Sequence, residues 1–184
     1  MATWKIDNMH SEIGFKVKHL VISTVSGKFT SFEGKLEGDP KDLTKSKISF
    51  SAEIDSINTG NEQRDGHLKS ADFFDAANHP KLNFVSSSIT KKDENQYKVN
   101  GDLIIRGVTK PVTMNVEFGG TQLNFYGQTI AGFEISGKLN RQDFGLTWNA
   151  VTEAGGIVVS DEVKLVIAVE LVKEEVATEV VVNA

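Results

Sequence analysis

Cysteine is absent from this chain of 184 residues. That single absence excludes disulfides, thiolate metal sites and cysteine nucleophiles together. It does not fix a redox compartment, because many exported proteins also lack the residue. A strong basic run is missing too, and the formal net charge is -5. Sequence-independent binding to nucleic acid therefore has no electrostatic footprint, and the bulk balance gives no reason to expect an anionic membrane surface as partner. No segment approaches the roughly 18 consecutive apolar residues of a membrane-spanning helix. The start, Met1-Ala2-Thr3-Trp4, shows no charged region followed by an apolar one. The expectation is a chain without a secretory leader, cytoplasmic as written, or periplasmic if this is a processed form.

Catalytic signatures are equally scarce. The four histidines, His10, His19, His67 and His79, fall on unlike elements, with no HExxH-type pair. No metal site is expected from them. The glycines form neither a phosphate-binding loop nor a dinucleotide fingerprint. Ser86-Ser87-Ser88 lies in a strand pattern, with no nucleophile-elbow context.

What the chain does have is period-two alternation, repeated from end to end. Ile13, Phe15, Val17 and His19 share one face, while Glu12, Lys16 and Lys18 share the other. A weaker strand over 28–36 contains Gly34. Ile48, Phe50, Ala52 and Ile54 alternate with polar residues, as do Leu82 and Phe84, and then Tyr97, Val99, Leu103 and Ile105. Val112, Met114, Val116 and Phe118 follow, then Phe133, Ile135 and Leu139, and finally Val163, Leu165, Ile167, Val169 and Leu171. Turn chemistry separates these runs at 38–40, 93–95, 107–111 and Gly119-Gly120. About one strand per dozen residues suits an antiparallel meander. A sandwich and a closed barrel both satisfy this pattern. Closure removes exposed edges, and a barrel of about eight strands can hold one small ligand.

One segment breaks the rhythm. Residues 61–78 read as one or two short helices, with Thr59 or Asn61 capping the first and Ser70 the second. Phe73 and Phe74 would lie on the second helix, projecting about 100° apart. Pro80 stops it. Residues 140–144 read as one further turn. A helical insert in an all-β chain suggests a lid. The expected fold class from the pattern is all-β: about eight antiparallel strands, as a sandwich or a closed barrel, with a short helical insert near residues 61–78. Residues 3–171 would form a single domain, with 172–184 as a C-terminal tail or edge extension.

Several motifs in fixed order carry a resemblance. They are Trp4-Lys5-Ile6-Asp7 with His10-Ser11, Gly27-Lys28-Phe29, and Ser56-Ile57-Asn58-Thr59 leading to Arg64-Asp65-Gly66-His67-Leu68. Then come Asp72-Phe73-Phe74-Asp75, Gly101-Asp102-Leu103-Ile104-Ile105-Arg106-Gly107, Asn140-Arg141-Gln142-Asp143-Phe144-Gly145 and Val159-Ser160-Asp161-Glu162-Val163. On these residues the chain resembles the YceI-like family of lipocalin-like, polyisoprenoid-binding proteins. The resemblance implies a closed, antiparallel, lipocalin-like β-barrel of about eight strands, a single lipid-binding barrel over residues 3–171, around a long apolar cavity that binds an isoprenoid or fatty-chain lipid, with no cofactor expected. It implies, in many members, a homodimer, and it does not imply a well-defined reaction. His79 stands where the family usually has tyrosine, which puts one local packing contact in question.

The ligand-binding candidates follow from the two readings together. Phe15, Val17, Phe50, Phe84, Leu103, Ile105 and Met114 are expected on the cavity wall, with Phe73 and Phe74 at the lid. His19 on the apolar face, Arg64 and His67 in the insert, and Arg106 and Arg141 at turns are candidates for a polar head group. Arginine suits phosphate or pyrophosphate through its planar fork. The competing reading for Arg64, Asp65 and His67 is a structural knot of caps and ion pairs. The expected function is non-catalytic binding, transport or storage of a long-chain isoprenoid or related lipid. The alternative is an enzyme or enzyme partner acting on such a substrate.

Overall fold

The computed structural model describes residues 1–150 and 158–175. Strands β1 (Thr3–Ile6), β2 (Glu12–His19), β3 (Ser23–Phe29), β4 (Phe32–Asp39), β5 (Asp42–Glu53) and β6 (Ile57–Asn58) precede the helix α1 (Glu62–Lys69). Strands β7 (Lys81–Asp93), β8 (Gln96–Ile105), β9 (Val108–Leu123), β10 (Thr129–Asn140) and β11 (Val159–Lys173) follow it. All pairings are antiparallel. The ring runs β1-β4-β5-β7-β8-β9-β10-β11, and β11 returns to β1 through Trp4↔Lys173 and Ile6↔Leu171, so eight strands close into a barrel. Closure leaves inward side chains on alternate residues. In β8 these are Tyr97, Val99, Gly101, Leu103 and Ile105, all buried, as the alternation requires.

Three strands continue past the ring as a flap, β11-β2-β3-β6. The flap arises because three neighbouring strands break at one level. Residues 7–11 separate β1 from β2, Thr30-Ser31 separates β3 from β4, and Ile54–Ser56 separates β5 from β6. The breaks are stitched together: Asn8 Nδ2 donates to the Phe32 carbonyl at 2.9 Å, and the Glu53 amide donates to the Ser31 carbonyl at 2.9 Å. The helix α1 and the turns after it leave from β6, so they cover this end of the barrel. The far end holds the hairpins β4–β5, β7–β8 and β9–β10. Trp4, Leu36, Leu43 and Tyr97 pack it solid, and the Tyr97 hydroxyl donates to the Lys41 carbonyl.

Several local expectations need correction. The strand expected over 28–36 is two strands. Phe29 and Phe32 are both buried, and residues three apart on one continuous strand would face opposite sides. Gly119-Gly120 is a bulge inside β9 rather than a turn: Phe118 pairs with Phe133 and Gly120 with Gly132, leaving Gly119 as the extra residue. Pro111 lies within β9 opposite Asp102, and the turn is the two-residue Arg106-Gly107, both with positive φ (50° and 71°). That geometry fits the right-handed twist of a hairpin. The insert contains one helix. Asn61 caps it through its side chain, and Ser70 ends it, its hydroxyl donating to the His67 carbonyl at 2.6 Å. Phe73 and Phe74 therefore sit in turns beyond the helix, not on it. The turn at Arg141–Phe144 is present as a short 3-10 helix.

Candidate ligand cavity

Inside the ring the side chains do not meet across the axis. A cavity of about 270 Å³ remains, walled almost wholly by aliphatic and aromatic groups. Phe15, Phe50, Met114, Leu139 and Leu165 point inward yet are only half-buried, because they border empty space. An engineered apolar cavity of roughly half this size, ~150 Å³, stays dry and takes up small hydrocarbons. Water in this lumen would find almost no hydrogen-bond partner, so its displacement by hydrocarbon is favourable.

Glycine shapes the wall. Phe15 pairs with Gly27 across β2 and β3, and Phe50 with Gly34 across β5 and β4. A side chain on Gly27 would overlap the Phe15 ring, and one on Gly101 would overlap the Phe84 ring. The rings lie along the sheet where a Cβ would otherwise stand, and the lumen stays open.

The lid end is closed by two flaps. The first is α1 with the turns after it. Phe74 meets Phe29 edge-on at 6.2 Å, and Phe29 meets Phe15 at 5.9 Å, which ties the lid to the flap strands. The second is the chain after Arg141. Trp148 contacts His67 at 4.7 Å and Phe73 at 5.4 Å between ring centres, so the two flaps touch through aromatic rings.

Phe15, Val17, Phe50, Phe73, Phe74, Phe84, Leu103, Ile105, Met114 and Arg141 all line the cavity. His19, Arg64, His67 and Arg106 are not on its wall. His19 is half-buried at the end of β2, against Val159 and Ser23. The other polar candidates are hydrogen-bonded within the chain itself. Arg64 donates through Nε to Thr59 Oγ1 (2.7 Å) and through Nη2 to the Thr59 carbonyl (2.8 Å), while Asp65 accepts from the Thr59 amide and hydroxyl. His67 Nε2 lies 2.8 Å from Asp72 Oδ2. Arg106 Nη1 donates to the carbonyls of Ala71 and Phe73 at 2.7 Å each, which fastens the lid to the β8–β9 turn.

Arg141 is 5% exposed and is the sole buried charged residue among those described. Its guanidinium donates to the carbonyls of Leu146, Trp148, Val159 and Ser160, and Asp161 lies 3.4 Å from Nη2. Burial lowers its pKa, and the Asp161 carboxylate opposes that. An arginine has five N–H donors, and four carbonyls and one carboxylate surround this one, so the fork shapes the second flap. His79 sits beside Gly107, where a Cβ would come within 3.0 Å of its ring.

Two contributors were not visible in the sequence reading. Trp148 belongs to no alternating run, and no local pattern marks it. Asp7, His10 and Glu170 converge, with possible ligand atoms all within 4.8 Å of one another. His10 Nδ1 is 2.8 Å from Asp7 Oδ2 and 3.8 Å from Glu170 Oε1, so Asp7 above all raises the His10 pKa and is itself lowered. His10 is exposed and the two carboxylates are half-buried, and the cluster lies outside the barrel wall, where it bridges the β1–β2 break to β11.

The comparisons with known proteins point one way. A UPF0312 protein of Staphylococcus epidermidis is 41% identical over 165 residues, covering 89% of this chain and 94% of its own. A UPF0312 protein of Staphylococcus aureus is 38% identical over the same length. The crystal structure of the Campylobacter jejuni YceI protein superimposes with a TM-score of 0.74 at 34% identity, over 86% of this chain and 90% of that one. A polyisoprenoid-binding domain from Saccharophagus degradans, implicated in plant cell wall breakdown, shares the fold at 14% identity, with a TM-score of 0.64 over 93% and 98% of the two chains. The YceI-like domain model matches residues 4–171, and the chain belongs to the YceI-like family.

Proposed function

We propose that this protein is a non-catalytic container for one long isoprenoid or related long-chain lipid, which it carries or stores. The observation that carries the reading is the empty apolar lumen, with inward side chains that border space instead of each other. The energetics suit a hydrocarbon tail. Each buried methylene is worth about 0.8 kcal/mol, so a five-carbon unit contributes roughly 3–4 kcal/mol gross. A few such units reach micromolar affinity after ordering costs. The internal hydrogen bonds of Arg64, Arg106 and Arg141 support recognition through the tail, with the head group left toward solvent. Chain length is then read loosely.

Native mass spectrometry of freshly purified protein tests this directly. An adduct that leaves intact on denaturation in organic solvent, with the mass of a long-chain lipid, supports the container. The enzyme reading has one observation in its favour, the exposed His67–Asp72 imidazole–carboxylate pair beside the lid. It predicts turnover of a supplied polyprenyl substrate that His67→Ala abolishes. Protein free of adduct that also takes up no hydrophobic dye would sink both readings.

A further inference from the structure

The β2–β3 hairpin ends in Leu20, Val21 and Ile22, beyond the lid end of the barrel. Leu20 and Val21 both have positive φ, 52° and 66°. A β-branched residue there is a genuine outlier, and Asn or Gly would fill the turn without strain. The apolar side chains gain no core contact in return: Val21 is 71% and Ile22 86% exposed. Behind this tip the outer face is basic. Lys138, Lys164 and Lys16 stand directly side by side across β10, β11 and β2. Like charges placed opposite one another across strands are unfavourable. Lys18 and Lys28 are exposed on the same hairpin. Among the described residues, the acids nearby are Glu162, 4.0 Å from Lys138, and Asp161, held beside Arg141, while Glu12, Glu117 and Glu134 lie on the same outer face farther from the tip. Neither strain nor like-charge pairing serves the fold, and both meet at the end where the lid closes the lumen.

Resting on the container reading above, we propose that this hairpin tip and its lysine row dock the protein on an anionic lipid bilayer, with the lid end facing the membrane. The dimensions agree. Lys18 is three residues from Val21, about 10 Å along the strand, and the row through Lys16 is about 16 Å back. Interfacial apolar groups enter a bilayer by roughly 5–10 Å, and the screening length is about 8–10 Å. The tip would sit at the acyl boundary with the lysines inside the field of the head groups. Val17, two residues before His19, lines the lumen, so the strand that carries the tip also forms part of the cavity wall. A second exposed apolar tip, with Phe125 and Tyr126, lies at the far, packed end and supplies an internal control.

The test is vesicle co-sedimentation of the full chain. The probes are phosphatidylcholine vesicles with and without phosphatidylglycerol. Wild type is expected to pellet with the anionic vesicles and to be released by salt. Val21→Gly combined with Ile22→Ser should weaken binding by roughly tenfold or more while keeping or raising thermal stability, since the turn strain is relieved. Each of Lys16→Gln and Lys164→Gln should weaken it by roughly fivefold. Phe125→Ser combined with Tyr126→Ser should leave it unchanged. Wild type staying in the supernatant at low salt overturns the proposal. So does retention of full binding by the folded Val21→Gly/Ile22→Ser variant, or loss of binding only in the far-tip variant. A parallel loading with polyprenol from ethanol keeps the two readings apart. Failure of wild type to hold lipid from solvent strikes the container and leaves the vesicle result to decide docking.

Discussion

Gly27 lacks a side chain where the Phe15 ring needs the space, and this exchange sets the bore of the barrel. Gly27→Ala meets only the far end of a ring and a threonine methyl, so the ring swings toward the lumen. We expect the variant to fold with a loss of about 1–2 kcal/mol and to bind hydrophobic dye several-fold more weakly. Gly101→Ala also meets the Val85 carbonyl, which cannot swing away, so its stability loss in a denaturant titration should be the larger. Arg141 acts in the opposite sense, by filling polar need. Arg141→Leu removes the guanidinium donor from the carbonyls of Leu146, Trp148 and Ser160, while that of Val159 keeps its bond from Asn149 Nδ2. Each unsatisfied buried group costs about 1–3 kcal/mol. Denaturant unfolding should show a loss of about 3 kcal/mol or more, and Arg141→Lys should not restore it, since an ammonium has three donors and no planar fork. Alternation placed Phe15 on the inner face from sequence. That its ring lies flat, and that Arg141 is buried instead of exposed at a turn, required the neighbouring strand and the second flap.

At the level of elements, the aligned breaks between β1 and β2, β3 and β4, and β5 and β6 turn a plain barrel into a barrel with a flap. Asp7 and His10 hold the first break. The hydrogen bond to Asp7 raises the His10 pKa above its ordinary 6.5, and the bond from His10 lowers Asp7 below 3.8. The raised imidazole contributes fully below about pH 6.5 and is lost as pH rises through its folded value. The lowered carboxylate contributes above about pH 3.8 and is lost as pH falls through its folded value. The break should therefore be most secure in mildly acidic solution. An NMR titration should find the His10 midpoint above 6.5, and Asp7→Asn should return it toward that value. The insert is legible in the sequence because it interrupts alternation. Asp72-Phe73-Phe74-Asp75 has helical composition, yet Arg106 holds the Ala71 and Phe73 carbonyls and fixes turns there instead.

For the whole molecule, the deciding property is that the closed sheet is wider than its inward side chains can fill. A cavity-filling change separates this from a packed core. Met114→Trp should stabilise the ligand-free protein by about 0.5–2 kcal/mol, seen as a higher melting temperature, and should abolish co-purification of lipid. In a solid core the same change would be destabilising by about 1–3 kcal/mol. Net charge shows the same difference between sum and arrangement. A formal -5 gave no sign of an anionic surface as partner, yet the folded chain gathers Lys138, Lys164 and Lys16 into one row.

Period-two alternation and turn residues determined an all-β chain, its inward faces and the position of its insert, because those signals are local and repeat every second residue. The bore of the barrel, the alignment of the strand breaks, the meeting of His67 with Trp148 and the cluster joining Asp7 and His10 to Glu170 were decided only in three dimensions. Each depends on register between strands far apart in the chain, and register is a property of pairs that no single strand contains.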